Sequence, residues 1–223
     1  MDRTVGLRPQ LIAKHILDRA IALLLLVALT PLWLLIALAI RVLDGPPVFF
    51  RQSRLGFGGE TFQILKFRTM VRDADRLLDD QGLPATSRLT RTGPTLRQWS
   101  LDEVPNLWNI LAGQMSLVGP RPQVPEMLSR MTPDQRGRFR MRPGLTGLAQ
   151  IRGRNELAWS ERIRLDNYYI ENFSMRLDLT ILVATVGVVC RRRGLSLDRN
   201  SSRVDDLKTQ ALDSQIQEEH EAG

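Results

Sequence analysis

Hydrophobic and polar positions divide this chain into an apolar opening and an amphipathic remainder. From Ile21 to Ile40 every side chain is apolar except Thr30, which precedes Pro31. A straight helix over that run would extend about 30 Å, roughly one hydrocarbon core. Pro31 has no N–H for the Val27 carbonyl and its ring crowds that carbonyl, so a break is expected there. The Thr30 hydroxyl can bond back to Leu26 or Val27 and ease the loss. Two half-helices of about ten residues would each reach only about 15 Å deep. The pattern alone admits both a kinked span and a hairpin that enters a bilayer and returns.

Beyond this run the periods shorten. Val48 to Gln52 and Thr61 to Phe67 alternate like strands around a turn at Gly56 to Gly59, which predicts a β-hairpin. A polar helix is predicted over 71–80, a loop over 81–95, and further helices over 104–113, 123–140 and 156–172. From Leu177 there are about fourteen mainly apolar positions before Arg191-Arg192-Arg193, too few to span comfortably. An interfacial or buried helix whose basic end meets anionic lipid is the more economical expectation. From Asp198 the chain turns polar, and 203–219 suits an exposed amphipathic helix or a disordered tail. The expected fold is mainly α with a small β-hairpin, divided into a membrane element (1–44), a catalytic domain (45–197) and a tail (198–223).

Charge narrows the reading of the apolar run. Arg3, Arg8, Lys14 and Arg19 precede it and Arg41, Arg51 and Arg54 follow it, so the positive-inside tendency assigns both flanks to the cytoplasmic face. A cleaved signal peptide fits poorly, because the core is long and no small-x-small site follows. The formal charge of +7 over 223 residues points to anionic partners. Nucleic acid is not expected among them, since no basic-aromatic binding motif accompanies the two tyrosines. Cys190 is the only cysteine, and His15 and His220 lie in opposite terminal regions, which excludes a disulfide framework and disfavours a Cys/His metal site.

Candidate chemistry concentrates in Ser100-Leu101-Asp102-Glu103-Val104-Pro105. Ser-x-x-Glu reads as a helix capping box, although Pro105 makes a start at Ser100 awkward. With Asp102 as the N-cap, both carboxylates would sit at the positive end of a helix, and a bound Mg²⁺ would relieve their mutual repulsion while bridging to phosphate oxygens. Such a site supplies an aspartate nucleophile and a metal anchor. Downstream, Gly119-Pro120-Arg121-Pro122, Arg142-Pro143-Gly144-Leu145-Thr146-Gly147 and Arg152-Gly153-Arg154 set guanidinium forks beside residues that stiffen or tighten the backbone. That combination suits phosphate or diphosphate oxygens. Each stretch alone is ordinary surface-loop chemistry, and only their succession after paired carboxylates points to a site.

Five stretches, KHILDRAIALLLLVALTPLWLL, FFRQSRLGFGGETFQILKFRTM, SLDEVPNLWNILAGQMSLVGPRP, RPGLTGLAQIRGRN and LDNYYIENFSMRLDLTIL, in this order resemble the bacterial sugar transferases known as monotopic phosphoglycosyl transferases. The likeness runs from about Lys14 to Val189, most of the chain. It implies transfer of a sugar-1-phosphate from a UDP-sugar to undecaprenyl phosphate with release of UMP, at the start of glycan assembly. It also implies a re-entrant helix-break-helix on the cytoplasmic leaflet, with Thr30-Pro31 at the break, and so favours the hairpin over the span. The resemblance makes Asp102 the nucleophile of a covalent aspartyl phosphosugar, Glu103 its partner, and Mg²⁺ their shared cofactor. It matches Arg97 to a family arginine that contacts lipid or substrate phosphate, and Lys66 and Arg68 to a basic segment.

Arg121, Arg142 and Arg154 are the remaining phosphate candidates. Asp166, Tyr168 and Tyr169 match a family motif whose expected role is structural. The chain resembles the minimal catalytic form of this superfamily, and a homodimer is one candidate assembly. Two other readings of the same residues are a membrane-anchored scaffold that holds anionic lipid without chemistry, and a metal-dependent phosphohydrolase.

Overall fold

A computed structural model describes residues 4–74, 77, 88–153 and 157–190. The apolar opening forms two helices, α1 (Thr4–Ala28) and α2 (Thr30–Leu43), bent by 63° where they meet. Leu29 is the joint, with φ −91° and ψ 2°. Pro31 falls in the first turn of α2, where an N–H has no acceptor within that helix, so proline suits the start of α2 while it withholds a donor from the end of α1. The Thr30 hydroxyl donates to the Leu26 carbonyl at 2.8 Å, as expected from its position. Among the described residues no single helix is long and apolar enough to cross a membrane; the bent pair reaches that length and apolar composition only when its two helices are taken together. Ala22, Leu26, Ile36 and Ile40 of the pair face the protein, while Leu24, Val27, Leu34, Leu35 and Leu38 are exposed.

Strands β1 (Phe49–Leu55) and β2 (Thr61–Phe67) form the antiparallel hairpin, in register from Phe49 opposite Phe67 to Leu55 opposite Thr61. Gly58 and Gly59 turn it with φ of 66° and 81°, a region that L side chains adopt at a cost. The strand β1 runs three residues past the expected Gln52, because Ser53, Arg54 and Leu55 continue the pairing with Gln63, Phe62 and Thr61.

A second sheet was not foreseen. Strands β3 (Ser116–Val118) and β4 (Gly144–Thr146) pair in parallel, and each is too short to show a period. The close approach depends on glycine, since a Cβ on Gly144 would fall 2.1 Å from the Gly119 nitrogen.

Short helices fill the rest: α3 (Gly93–Gln98), a 3-10 helix over Leu101–Asn106, α4 (Leu107–Leu111), α5 (Leu148–Arg152), α6 (Trp159–Glu171) and α7 (Met175–Cys190). The single helix expected over 123–140 does not form. Two 3-10 turns, Pro125–Arg130 and Gln135–Arg140, take its place, because Pro125 and Pro133 each remove a donor and Gly137 weakens the second half. The loop expected over 81–95 yields to α3 from Gly93. Of the polar helix expected over 71–80, residues 71–74 and 77 are described and none is α-helical, with Asp73 at φ 55° breaking the run; the other five, and the whole tail, lie outside the described residues.

The main core joins Ala22 and Leu26 of α1 to Leu107, Ile110, Leu117, Tyr169 and Ile181. Within it lies a polar knot. Lys14, 1% exposed, pairs with Asp178 at 2.5 Å and with Asp18 at 3.3 Å. The Tyr169 hydroxyl donates to Asp178 at 2.7 Å, and the Ser116 hydroxyl donates to Asp18.

Candidate active site

The Leu101–Asn106 turn carries both carboxylates and is anchored from below by amides. Asn106 and Asn109, both buried, share the Leu65 N–H through their Oδ1 atoms at 3.1 and 3.2 Å, and Asn109 Nδ2 donates to the Gln63 carbonyl at 2.7 Å. These bonds dock the acidic turn on β2 and bring Lys66 to Glu103. Neither asparagine was among the sequence candidates. Their only signal was a pair of amides spaced by three residues just after the acidic pair, where an apolar stripe would be ordinary.

Neither expected cap forms. Ser100 adopts a left-handed conformation (φ 54°, ψ 22°) and makes no side-chain capping bond, and Asp102 lies inside the 3-10 turn rather than at its cap. Glu103 is drawn elsewhere: its Oε1 accepts from Lys66 Nζ at 2.6 Å and from Arg121 Nη2 at 2.9 Å. Two charge-assisted bonds outweigh one cap to a backbone N–H.

Arg121 is held by a backbone that is tied at every carbonyl. The Gly144 N–H donates to the Pro120 carbonyl at 2.9 Å, Arg138 Nη2 to Arg121 at 2.9 Å, Arg54 Nη1 to Pro122 at 3.4 Å, and the Leu55 N–H to Gln123 at 2.7 Å. With Pro120 and Pro122 also restricting φ, the segment has little freedom. Arg97, on α3, donates from Nε to the Thr69 hydroxyl at 3.0 Å. A cavity of about 30 Å³ beside the acidic turn is lined by Lys66, Glu103, Asn106, Arg121, Gly144 and Leu145.

The two carboxylates differ electrostatically. Burial and the neighbouring Glu103 charge push the Asp102 carboxyl above its ordinary value, against the pull of Lys66, Arg97 and Arg121. Burial acts the same way on Glu103, but Arg121 and Lys66 outweigh it and hold that carboxyl well below the usual range. Glu103 is therefore ionised and already neutralised. Asp102, by contrast, accepts no hydrogen bond or ion pair from the described residues. Asp102 is thus a carboxylate made more basic by burial, with three cations as its electrostatic neighbours and no direct partner among the described residues.

Lys66, Arg97 and Arg121 thus gather around the acidic pair. Arg68 does not join them: it is 7% exposed and donates to the carbonyls of Asp44, Gly45 and Pro46 at 2.7, 2.6 and 2.8 Å, holding the turn between α2 and β1. Arg142 is half-buried and has Arg19 and Asp18 of α1 as electrostatic neighbours. Arg154 lies outside the described residues.

Asp166, placed with a structural motif, is 2% exposed and binds Arg138 at 2.5 Å. Burial pushes its carboxyl up to about 6 despite Arg138. Among the described residues no three His, Cys, Asp or Glu side chains converge as a metal cage.

A model of the bacterial sugar transferase family matches residues 9–192. The exopolysaccharide production protein ExoY of Sinorhizobium fredii is 40% identical over 198 residues, covering 82% of this chain and 88% of the relative. The UDP-glucose:undecaprenyl-phosphate glucose-1-phosphate transferase of Caulobacter vibrioides is 44% identical over 182 residues, 78% of this chain and 68% of the relative. The UDP-galactose-lipid carrier transferase of Erwinia amylovora is 36% identical over 196 residues, 81% of this chain and 41% of the relative.

Proposed function

Because this chain belongs to the bacterial sugar transferase family, we propose that it moves a sugar-1-phosphate from a UDP-sugar to undecaprenyl phosphate through a covalent intermediate on Asp102. The observation that carries this reading is the asymmetry of the acidic pair: Glu103 Oε1 is held by Lys66 and Arg121, while Asp102 has no direct partner among the described residues. An Asp102 oxygen attacks the sugar-bearing phosphorus, the bond from that phosphorus to the bridging oxygen breaks, and UMP leaves. A phosphate oxygen of undecaprenyl phosphate then attacks the same phosphorus, and the Asp102–phosphorus bond breaks. The products are the lipid diphosphate sugar and a regenerated carboxylate.

Lys66, Arg97 and Arg121 neutralise charge on the phosphoryl oxygens during both displacements. The Asp102 and Glu103 oxygens, with substrate phosphate, suit the oxygen shell of Mg²⁺, which tolerates one or two carboxylates; when bound it supplies further charge neutralisation.

The acceptor lies in a bilayer, and the bent helix pair accounts for how the enzyme reaches it. The pair enters the cytoplasmic leaflet and returns, with its exposed leucines in lipid, so that Asp102 stays at the surface where a soluble donor and an insoluble acceptor meet. Helix α7, with Leu179, Val183 and Val186 exposed along one face, lies in the interface. Transfer to the lipid carrier opens assembly of an exopolysaccharide or related glycan. UDP-glucose and UDP-galactose are the first donors to test, after the relatives named above.

The reading is tested by UMP release from a panel of UDP-sugars, with undecaprenyl phosphate and Mg²⁺, beside Asp102→Asn. Loss of at least about 10³-fold is expected on removing the nucleophile, together with loss of labelled sugar phosphate retained on the protein. Wild-type turnover by Asp102→Asn would sink the assignment. Sugar phosphate released into water without lipid acceptor would identify a hydrolase instead.

A further inference from the structure

Arg138 and Asp166 form a buried ion pair away from solvent, 1% and 2% exposed in their side chains, and take no direct part in the chemistry proposed above. As a stabilising device the pair is a poor choice. Desolvating two charges offsets much of their attraction, and apolar residues of similar volume commonly do as well. Moreover, Nε and Nη1 of Arg138 meet no acceptor among the described residues, a further cost in a buried group. What the pair does provide is placement. The same Nη2 that binds Asp166 at 2.5 Å also donates to the Arg121 carbonyl at 2.9 Å. The Arg121 side chain reaches Glu103 from that same residue.

We propose that Asp166 and Arg138 act as a positioning pair for Arg121, fixing the backbone from which its guanidinium meets Glu103. Asp166 orients Arg138, Arg138 fixes the Arg121 carbonyl, and Arg121 holds Glu103 ionised next to Asp102. This inference rests on the transferase reading for its catalytic consequence, though not for its structural one.

A thermodynamic cycle separates positioning from mere stability. UMP release is compared for wild type, for Arg138→Met with Asp166→Leu, for Arg121→Ala, and for all three substitutions together. The paired apolar change leaves no buried charge behind, and thermal unfolding checks that the protein is folded. Its kcat is expected to fall about 10- to 100-fold, as misplacement of a catalytic group does. With Arg121 already removed, the same pair is expected to change kcat by less than about twofold, because it has nothing left to position.

Equal losses in both backgrounds overturn the proposal. Should the paired variant not fold, Asp166→Asn, which keeps shape and one acceptor oxygen, is read through the same cycle. If wild type releases no UMP from any UDP-sugar, the transferase reading fails by itself. Hydrogen exchange then decides the pair: faster exchange at the Arg121 and Gln123 amides, with α2 unchanged, supports it, and unchanged exchange there overturns it.

Discussion

Lys66 and Arg68 stand two residues apart at the end of β2, and their fates differ completely. Lys66 meets Glu103, while Arg68 is absorbed by three carbonyls that lie 22 to 24 residues earlier in the chain. The resemblance gave both the same expected role, and local sequence could not separate them, because the partners that decide are distant. Arg68→Met is therefore expected to leave several carbonyls without a donor and to lower stability by about 2–4 kcal/mol. The donor KM of the protein that remains folded should change little, measured by thermal unfolding beside steady-state kinetics.

Asp166 supplies a pH test. Its folded-state pKa of about 6 stands above the ordinary 3.8, so the folded chain binds this proton more tightly than the unfolded chain. The stability it contributes is fully present below about pH 4 and is lost as pH rises through about 6. Replacing the pair by Arg138→Met with Asp166→Leu should remove that slope and leave the protein neutral to about 4 kcal/mol more stable at pH 7. Unfolding curves from pH 4 to 7 for both proteins check the sign.

At the scale of elements, legibility followed length and local cause. The break between α1 and α2 was written in one dipeptide, since Pro31 removes a local donor and Thr30 bonds one turn back. The hairpin was legible for the same reason, with its period and its glycines close together. The parallel pair β3–β4 was not, because three-residue strands carry no period and the sheet depends on Gly119 and Gly144 meeting across 25 residues of chain. The helix expected over 123–140 does not form because Pro125 and Pro133 interrupt the donors that its apolar spacing would otherwise align.

The bend also yields a topology prediction. Labels at positions Arg8 and Arg51 should be accessible from the same membrane face. Pro31→Ala, which restores a donor to the Val27 carbonyl, should straighten part of the population and move the Arg8 label across. Labels on opposite faces in the wild type would exclude a re-entrant pair.

For the molecule as a whole, the question is what holds the bent apolar helix pair to the rest of the protein. Lys14 looked from sequence like one more flanking cation for the membrane surface, but at 1% exposure it cannot serve as one. Arg19, Arg41 and Arg51, by contrast, are exposed. Lys14 instead bonds Asp178, 164 residues away, and Asp18 one turn along α1; Tyr169 of α6 and Ser116 of β3 complete the knot. Four elements thus meet around one ammonium group and its two carboxylates, and α1 and α7, which both carry apolar outer faces, are joined by the Lys14–Asp178 pair.

Apolar packing of Ala22 and Leu26 could slide, whereas a buried charge network has one register. Lys14→Met leaves the Asp18 and Asp178 carboxylates buried without their cation, and breaking such a network from one side is expected to cost about 3–5 kcal/mol. Removing Asp178 as well, as Lys14→Met with Asp178→Leu, relieves one of those carboxylates and should recover part of the loss. Thermal unfolding in detergent and limited proteolysis of α1 follow both effects. A Lys14→Met protein with wild-type melting and an intact α1 would mean that the apolar contacts alone hold the membrane element in place.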